Sequence, residues 1–260
     1  MNIHEKHVIV YRDDARGRIV QITVRLRNSP GALADLAKRL AKAKVNVLEG
    51  NISRPSRSGT AYWSFFAELP RAGLNSRGLE RLLRGSRSAS NVQVSKGAGR
   101  QTVDTHGFPI EWSTGDRAIL IRTDFFSMME EAAKKMFSTG AYVFLHELGF
   151  AHGLPTWKNL FETFEVRNRK DLDYALKIYQ AVGWCRPRVV SYDQKKPSAV
   201  VRLEDNFECA MHSEGVVSSH FVRGHFAGAF TALYGTRMTC KETACVSSGA
   251  KFCEFRIEKA

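Results

Sequence analysis

The sequence predicts an α+β protein of two domains, and three observations carry that prediction. Within residues 1–98, four runs of β-branched or aromatic residues and two helical periods follow one another in the order βαββαβ. Residues 99–115 hold glycine and polar residues with no sustained period, which marks a linker. Residues 116–260 alternate again between helical and extended patterns and end on a thiol-rich hairpin. At 260 residues and 43% hydrophobic composition, the chain can bury a core in each domain.

In the first domain, Ile19 to Arg27 alternates apolar and polar side chains, the mark of a half-buried strand. Asn28-Ser29-Pro30-Gly31 breaks it; the proline sets φ for a helix start, and Asn28 or Ser29 is available as a cap. Leu33, Leu36, Ala37 and Leu40 then follow helical spacing up to Ala43. Val45 to Ile52 is the second strand, and Thr60 to Leu69 returns as the third. Leu74 to Arg84 carries the second helical period, and Asn91 to Ser95 supplies the last strand. This order is that of a ferredoxin-like split unit.

The net charge of +13 is concentrated there: residues 1–100 hold 19 Lys+Arg against 7 Asp+Glu, the remainder 20 against 19. That balance fits a polyanion such as nucleic acid. It equally fits a solvated basic face, since no aromatic residue interleaves Arg77, Arg81, Arg84 and Arg87 and no helix-turn-helix is recognisable.

In the second domain a long helical pattern runs from Phe125 to Ala151, with Thr123-Asp124 as its cap. Gly140 is a point of interruption, and Gly153 with Pro155 is expected to stop it. His146 and His152 lie at no metal-ligand spacing and read as ordinary helix histidines. Asp171 to Gly183 is the next helix. Arg188–Tyr192 and Ala199–Leu203 are strands around Asp193–Pro197, with Asn206 to His212 as an extension of the second. Ser218 to Tyr234 forms a helix rich in small residues. A glycine inside a helix costs about 1 kcal/mol relative to alanine. Gly224 and Gly228 therefore imply either close backbone packing or room for a ligand.

The end of the chain, Cys240 to Phe255, places three thiols and the Glu242 carboxylate around the turn Ser247-Ser248-Gly249. Cys240 and Glu242 share a strand face, and the turn folds Cys253 toward Cys245. Such a set suits a tetrahedral zinc. The alternative is that the thiols are small buried core residues. All five cysteines (185, 209, 240, 245 and 253) fall in the last 76 residues, which argues against a disulfide framework and for a reducing compartment. No apolar run of about 18 residues is present, and Met1 to His7 lacks the apolar core of a signal peptide. The expectation is a cytoplasmic protein without a membrane span.

Two families are resembled. Asn28-Ser-Pro-Gly-Ala-Leu33, Leu36–Leu40 and Val45-Asn46-Val47 closely resemble an ACT domain over about 75 residues. The resemblance implies a regulatory module that pairs side by side as a homodimer and takes a small ligand, often an amino acid. That ligand would sit at Asn28, Ser29, Pro30, Gly31, Ala32 and Leu33. Arg223-Gly-His-Phe-Ala-Gly228, Gly235, the Glu242-x-x-Cys245-x7-Cys253 ending and Phe255 resemble the 4-vinyl reductase domain over residues 116–258. This implies an α/β fold that binds small, often apolar molecules between helices and sheet, as in phenol-responsive regulators. Gly224, Ala227, Gly228, Phe144 and Trp184 are the pocket candidates.

In those regulators a structural zinc is held by a cysteine before the Gly-rich helix and by the Glu, Cys and Cys of the ending. Glu242, Cys245 and Cys253 match, whereas Ser219 stands at the first thiol's place. Either Cys240 substitutes from the Glu242 face, or Cys209, His220 or His225 reaches in, or the metal has been lost. Cys240 is the expected ligand. The overall expectation is a non-catalytic sensor, since no dinucleotide fingerprint or activated nucleophile is present. A role in tetrapyrrole vinyl reduction and one in nucleic-acid binding are the alternatives.

Overall fold

A computed structural model describes residues 10–12, 18–53, 55–98, 101–112, 115–209 and 219–260. The chain divides into two compact units, Met1–Ile119 and Leu120–Ala260.

In the first unit, β1 (Val10–Arg12) precedes β2 (Ile19–Arg27), α1 (Ala32–Lys42), β3 (Asn46–Ile52), β4 (Thr60–Glu68), α2 (Ser76–Arg84) and β5 (Ala89–Lys96). From β2 to β5 the order is βαββαβ, and the strands form one antiparallel sheet, β3-β4-β2-β5. Val20, Ile22, Val24 and Leu26 of β2 meet Leu36 and Leu40 of α1 and Leu79 and Leu83 of α2 in one core. The start of α1 differs from expectation: Gly31 is its N-cap at φ 84°, and no side chain caps it. Glycine is the residue that tolerates this left-handed backbone.

Part of the expected linker belongs to the first unit. β6 (Gln101–Val103) pairs with β1, and buried Thr102 donates to the Ile19 carbonyl. The Gln21 side chain, buried on the central strand, donates to Thr23, Ser64 and Asp104. A polar residue in the sheet centre therefore needs the segment after β5 to satisfy it, which no periodicity announces. The short pair β7 (Ile110–Glu111) and β8 (Arg117–Ala118) follows.

The second unit contains α3 (Thr123–Phe137), α4 (Gly140–Phe164), α5 (Arg169–Ala175), α6 (Lys177–Ala181), β9 (Arg186–Asp193), β10 (Ser198–Glu204), α7 (His220–Tyr234), β11 (Met238–Ala244) and β12 (Cys253–Lys259). Its sheet is antiparallel, in the order β11-β12-β10-β9. The interruption falls before Gly140, as expected, but α4 passes through Gly153 and Pro155 to Phe164. A proline in a helix forfeits its own N–H bond and crowds the preceding turn.

What outweighs that cost is the packing of α4 on α7. A Cβ added at Gly224 would lie 1.9 Å from the His146 carbonyl oxygen, and one at Gly228 2.6 Å from that of Phe150. Reciprocally, a Cβ at Gly149 would meet the Phe221 carbonyl oxygen at 2.1 Å, and one at Gly153 that of His225 at 2.3 Å. Glycines four apart share a helix face, so each helix offers a bare backbone stripe to the other. Of the two readings that the glycines left open, close packing is the one realised. The expected extension at Asn206 is a turn up to Cys209, and residues 210–212, like Ser218, lie outside the described residues. Among the described residues, no helix is long and apolar enough to cross a membrane.

Candidate metal centre and aromatic site

The hairpin builds its site through an irregularity. Side chains alternate along a strand, so Glu242 and Cys245, three residues apart, would face opposite sides. β11 and β12 pair Glu242 with Phe255 and then Ala244 with Glu254, so one extra residue is inserted between them. Such a bulge resets the alternation. Glu242 and Cys245 are consequently both buried. A short 3-10 turn at Val246–Ser248 leads to Gly249 at φ 92°, and the chain returns with Cys253 buried opposite Leu203 of β10. Beyond β10 the turn from Asn206, closed by a Cys209 N–H to Asn206 carbonyl bond of 3.0 Å, delivers the fourth group.

Cys209, Glu242, Cys245 and Cys253 are thus brought together, with one ligand atom of each within 4.8 Å of the others. The Sγ atoms of Cys209 and Cys245 are 3.5 Å apart, those of Cys209 and Cys253 3.5 Å, and those of Cys245 and Cys253 3.9 Å. Thiolates at 2.3 Å from a tetrahedral zinc would be about 3.8 Å from one another. A disulfide needs about 2.05 Å, and none of the five cysteines forms one. The donor set therefore fits a tetrahedral ion.

Cys240 is not in this group. Two residues before Glu242 on the same face, it stands one strand repeat, about 6.6 Å, along β11. It packs instead in the core with Met238, Phe255 and Ile257. His220 stacks on Tyr142, and His225 bonds Tyr179, so neither joins the thiols. Cys209 supplies the thiol that position 219 lacks. Ser219 still touches the cluster: its hydroxyl donates to Glu242 Oε1 at 2.8 Å and lies 2.9 Å from Cys209 Sγ. The Asn206 amide donates to Ser219 Oγ at 2.9 Å and to Cys209 Sγ at 3.2 Å.

Electrostatics point the same way. Burial pushes the Glu242 carboxyl up to about 8, with the neighbouring Cys245 adding to it. At Cys253 the contact with Cys209 pulls downward, but Cys245 and burial outweigh it and the thiol stands at about 12. Without a cation these groups keep their protons; a divalent ion supplies the charge that would release them.

The same turn also fixes α7. Glu208, fully buried, accepts the amides of Phe221 and Val222 at 2.7 Å each, filling two of the free donors of the first turn. Phe207 beside it enters a circuit of rings. Trp184–Phe207, Phe207–Phe126, Phe126–Phe221 and Phe221–Trp184 have centroids 5.4, 4.9, 5.4 and 5.6 Å apart. Of the pocket candidates, Trp184 lies in this circuit. Phe144 does not, being 52% exposed beside Phe137. Gly224, Ala227 and Gly228 are buried, with Gly224 and Gly228 against the α4 backbone, and leave no room on that face.

In the first unit the Asn28–Leu33 turn is exposed except for Ala32, and Asn28 is tied to the Gly59 carbonyl at 2.8 Å. An open groove of that unit is lined by Asp35, Arg39, Lys42, Ala43 and Leu82, and none of the six turn residues borders it. On α2, Arg84 donates to Glu80 and to the Val92 carbonyl.

The aromatic circuit escaped the sequence reading apart from Trp184. Its members lie on α3, α7 and two loops, and only the spacing of Phe207 from Cys209 hinted at a link. Cys209 itself had a signal: it closes the turn that begins at Asn206.

Residues 199–259 match the family model of the vinyl-4-reductase domain, so the ending and the glycine-rich helix are those of the family they resemble. No curated protein matches the chain. The fold is similar to the phenol-responsive sensory domain of the transcription activator PoxR, solved with phenol. Identity is 19%, covering 57% of this chain and 79% of that one, with a TM-score of 0.50. A vinyl-4-reductase family protein from Methanocaldococcus jannaschii shares 18% identity over 55% of this chain and 84% of its own, with a TM-score of 0.41. Trafficking protein particle complex subunit 3 of Naegleria fowleri, covalently bound to palmitic acid, shares 13% over 53% and 95%, also at 0.41.

Proposed function

We propose that this protein is a non-catalytic sensor whose second unit binds a small, largely apolar molecule. A structural zinc would be held there by Cys209, Glu242, Cys245 and Cys253. The observation that carries the reading is the ring circuit of Phe126, Trp184, Phe207 and Phe221, placed beside the metal cluster by Phe207 and Cys209 of one turn. Stacked aromatic walls supply the apolar area that such ligands need. The family match over residues 199–259 and the similarity to a phenol-responsive domain support it.

Zinc, when bound, supplies charge and a cross-link rather than an activated water, since four protein groups fill a tetrahedral site. Its ligands come from the turn after β10 and from both sides of the hairpin, so it ties the turn that bears Phe207 to the sheet. Ser219, bonded to Glu242, passes that restraint to α7.

The first unit is read as an ACT-type, ferredoxin-like module that pairs with a second copy. Its βαββαβ order and antiparallel sheet support that reading. Ligand binding in the second unit would shift the pairing equilibrium of the first by linkage. The test is a thermal melt of the zinc-replete chain with toluene and with phenol, beside sedimentation of the same samples. A rise in melting temperature with either compound, together with a change in mass, is the expected result. A melt unmoved by both up to their solubility limits would refute the sensor reading.

A further inference from the structure

Beside the ring circuit one buried polar atom has no hydrogen-bond partner. His225 is buried on α7, its Nδ1 lies 2.8 Å from the Tyr179 hydroxyl, and its Nε2 is unpaired. The rings around this imidazole are Trp184 at 4.9 Å, His152 at 5.0 Å and Phe221 at 6.2 Å between centroids. Two of these, Trp184 and Phe221, belong to the circuit itself.

The proton inventory decides what is missing. The indole N–H of Trp157, a donor only, bonds the Tyr179 side chain. With its oxygen accepting that bond, Tyr179 directs its own proton to Nδ1 of His225. The reverse arrangement, Nδ1 donating to Tyr179, would leave the buried phenolic proton without the acceptor that Nδ1 offers. Burial keeps the imidazole neutral, with His152 adding to the effect, and lowers its pKa to about 3. A neutral ring that accepts at Nδ1 carries its proton on Nε2. The unpaired atom is therefore an N–H donor in apolar surroundings, and burial of such a donor asks for an acceptor.

We infer that the molecule held at this circuit carries a hydrogen-bond acceptor, such as a carbonyl, ether or nitrile, which takes the Nε2–H of His225 while its apolar part lies against Trp184 and Phe221. This rests on the ligand-binding reading above and narrows it from apolar molecules in general to apolar molecules with an acceptor. Trp157, Tyr179 and His225 then act as a relay that fixes the tautomer from the core outward.

The experiment compares acetophenone with ethylbenzene, which match in size and differ in the carbonyl, by calorimetry on the zinc-replete full chain. The tautomer is read in parallel from the imidazole 15N shifts of the free protein. The expected results are a preference for acetophenone of about tenfold, the worth of one good hydrogen bond, and a proton on Nε2. His225→Phe should make the two affinities equal, and His225→Gln, which keeps a donor amide, should restore part of the preference. Equal affinities in the wild-type chain, or a bare Nε2 in the free protein, would overturn the inference while leaving the ligand site standing. Binding of neither probe would remove the ligand-binding reading itself, and the inference with it. The 15N measurement needs no variant, so misfolding of His225→Phe would not shield the idea.

Discussion

The thiol cluster and the Tyr179–His225 pair are both buried in the second unit, yet their polar atoms are treated in opposite ways. Around Cys209, Glu242, Cys245 and Cys253 almost every polar group meets another: Ser219, Asn206 and Ser247 donate or accept within 2.8–3.2 Å. What that cluster lacks is positive charge. The His225 site lacks no charge, because its imidazole is held neutral, and what it lacks is one acceptor. The difference teaches that the two sites await different things, a cation in one and a dipolar organic molecule in the other. Burial makes both demands expensive to leave unmet.

The largest test of that contrast is removal of a thiol. Structural zinc sites contribute on the order of 10 kcal/mol of apparent binding free energy. Cys245→Ser should therefore lose its zinc and show a large fall in melting temperature, while Cys240→Ser keeps about one zinc per chain, as one tetrahedral site requires. Elemental analysis and calorimetry check both. Zinc lost from Cys240→Ser but kept in Cys209→Ser would show that the metal is held elsewhere.

Next in size is the helix seam on which both sites depend. Gly224→Ala places a methyl 1.9 Å from the His146 carbonyl oxygen, where only backbone can yield. A cost of about 3 kcal/mol is expected, at the upper end of overpacking. Gly140→Ala, whose new methyl meets only Phe137 Cβ at 3.7 Å, should be neutral or slightly stabilising. Denaturant melts of the two variants, if equal, would show that the seam is not tight.

Acid offers a third comparison. His225 is pushed down to about 3 by burial, and His220 to about 4 by burial and by Arg223 nearby. A base with a lowered folded pKa binds fewer protons folded than unfolded. Its stabilising contribution is present above the ordinary value of 6.5 and is lost as pH falls from there toward 3. The melting temperature of the wild type should drop over that window, and His225→Phe should flatten part of the drop. Parallel curves for the two chains would mean that His225 titrates normally.

Much of this architecture was legible in the sequence because it rests on local rules. The strand at Ile19–Arg27 needed only alternation, and the break before Gly140 only a glycine in a helical period. Glu242, Cys245 and Cys253 could be grouped from the ending alone. Cys240 misled for a physical reason: parity along a strand is local, whereas the bulge that turns Cys245 inward depends on pairing with a second strand. The continuation of α4 through Pro155 was hidden likewise, since its compensation comes from Gly224 and Gly228, on another helix far along the chain. The ring circuit has members on separate elements, and no spacing relates Phe126 to Phe207.

The smallest expected effect probes the layer behind the thiols. Asn206 donates to Cys209 Sγ and to Ser219 Oγ through one amide nitrogen, so it orients both the ligand from the turn and the hydroxyl that steadies Glu242. Partners behind metal ligands typically affect affinity by roughly 10–100-fold. Asn206→Ala should therefore weaken zinc by about tenfold in a chelator competition, with stoichiometry unchanged. Asn206→Asp should weaken it differently, because a carboxylate replaces the donor beside thiolates and repels them. It would lose more affinity at high pH than at low, whereas the alanine variant's deficit stays constant. If both variants bind zinc like the wild type, the turn is held by its backbone alone. Cys209 would then need no side chain to place it.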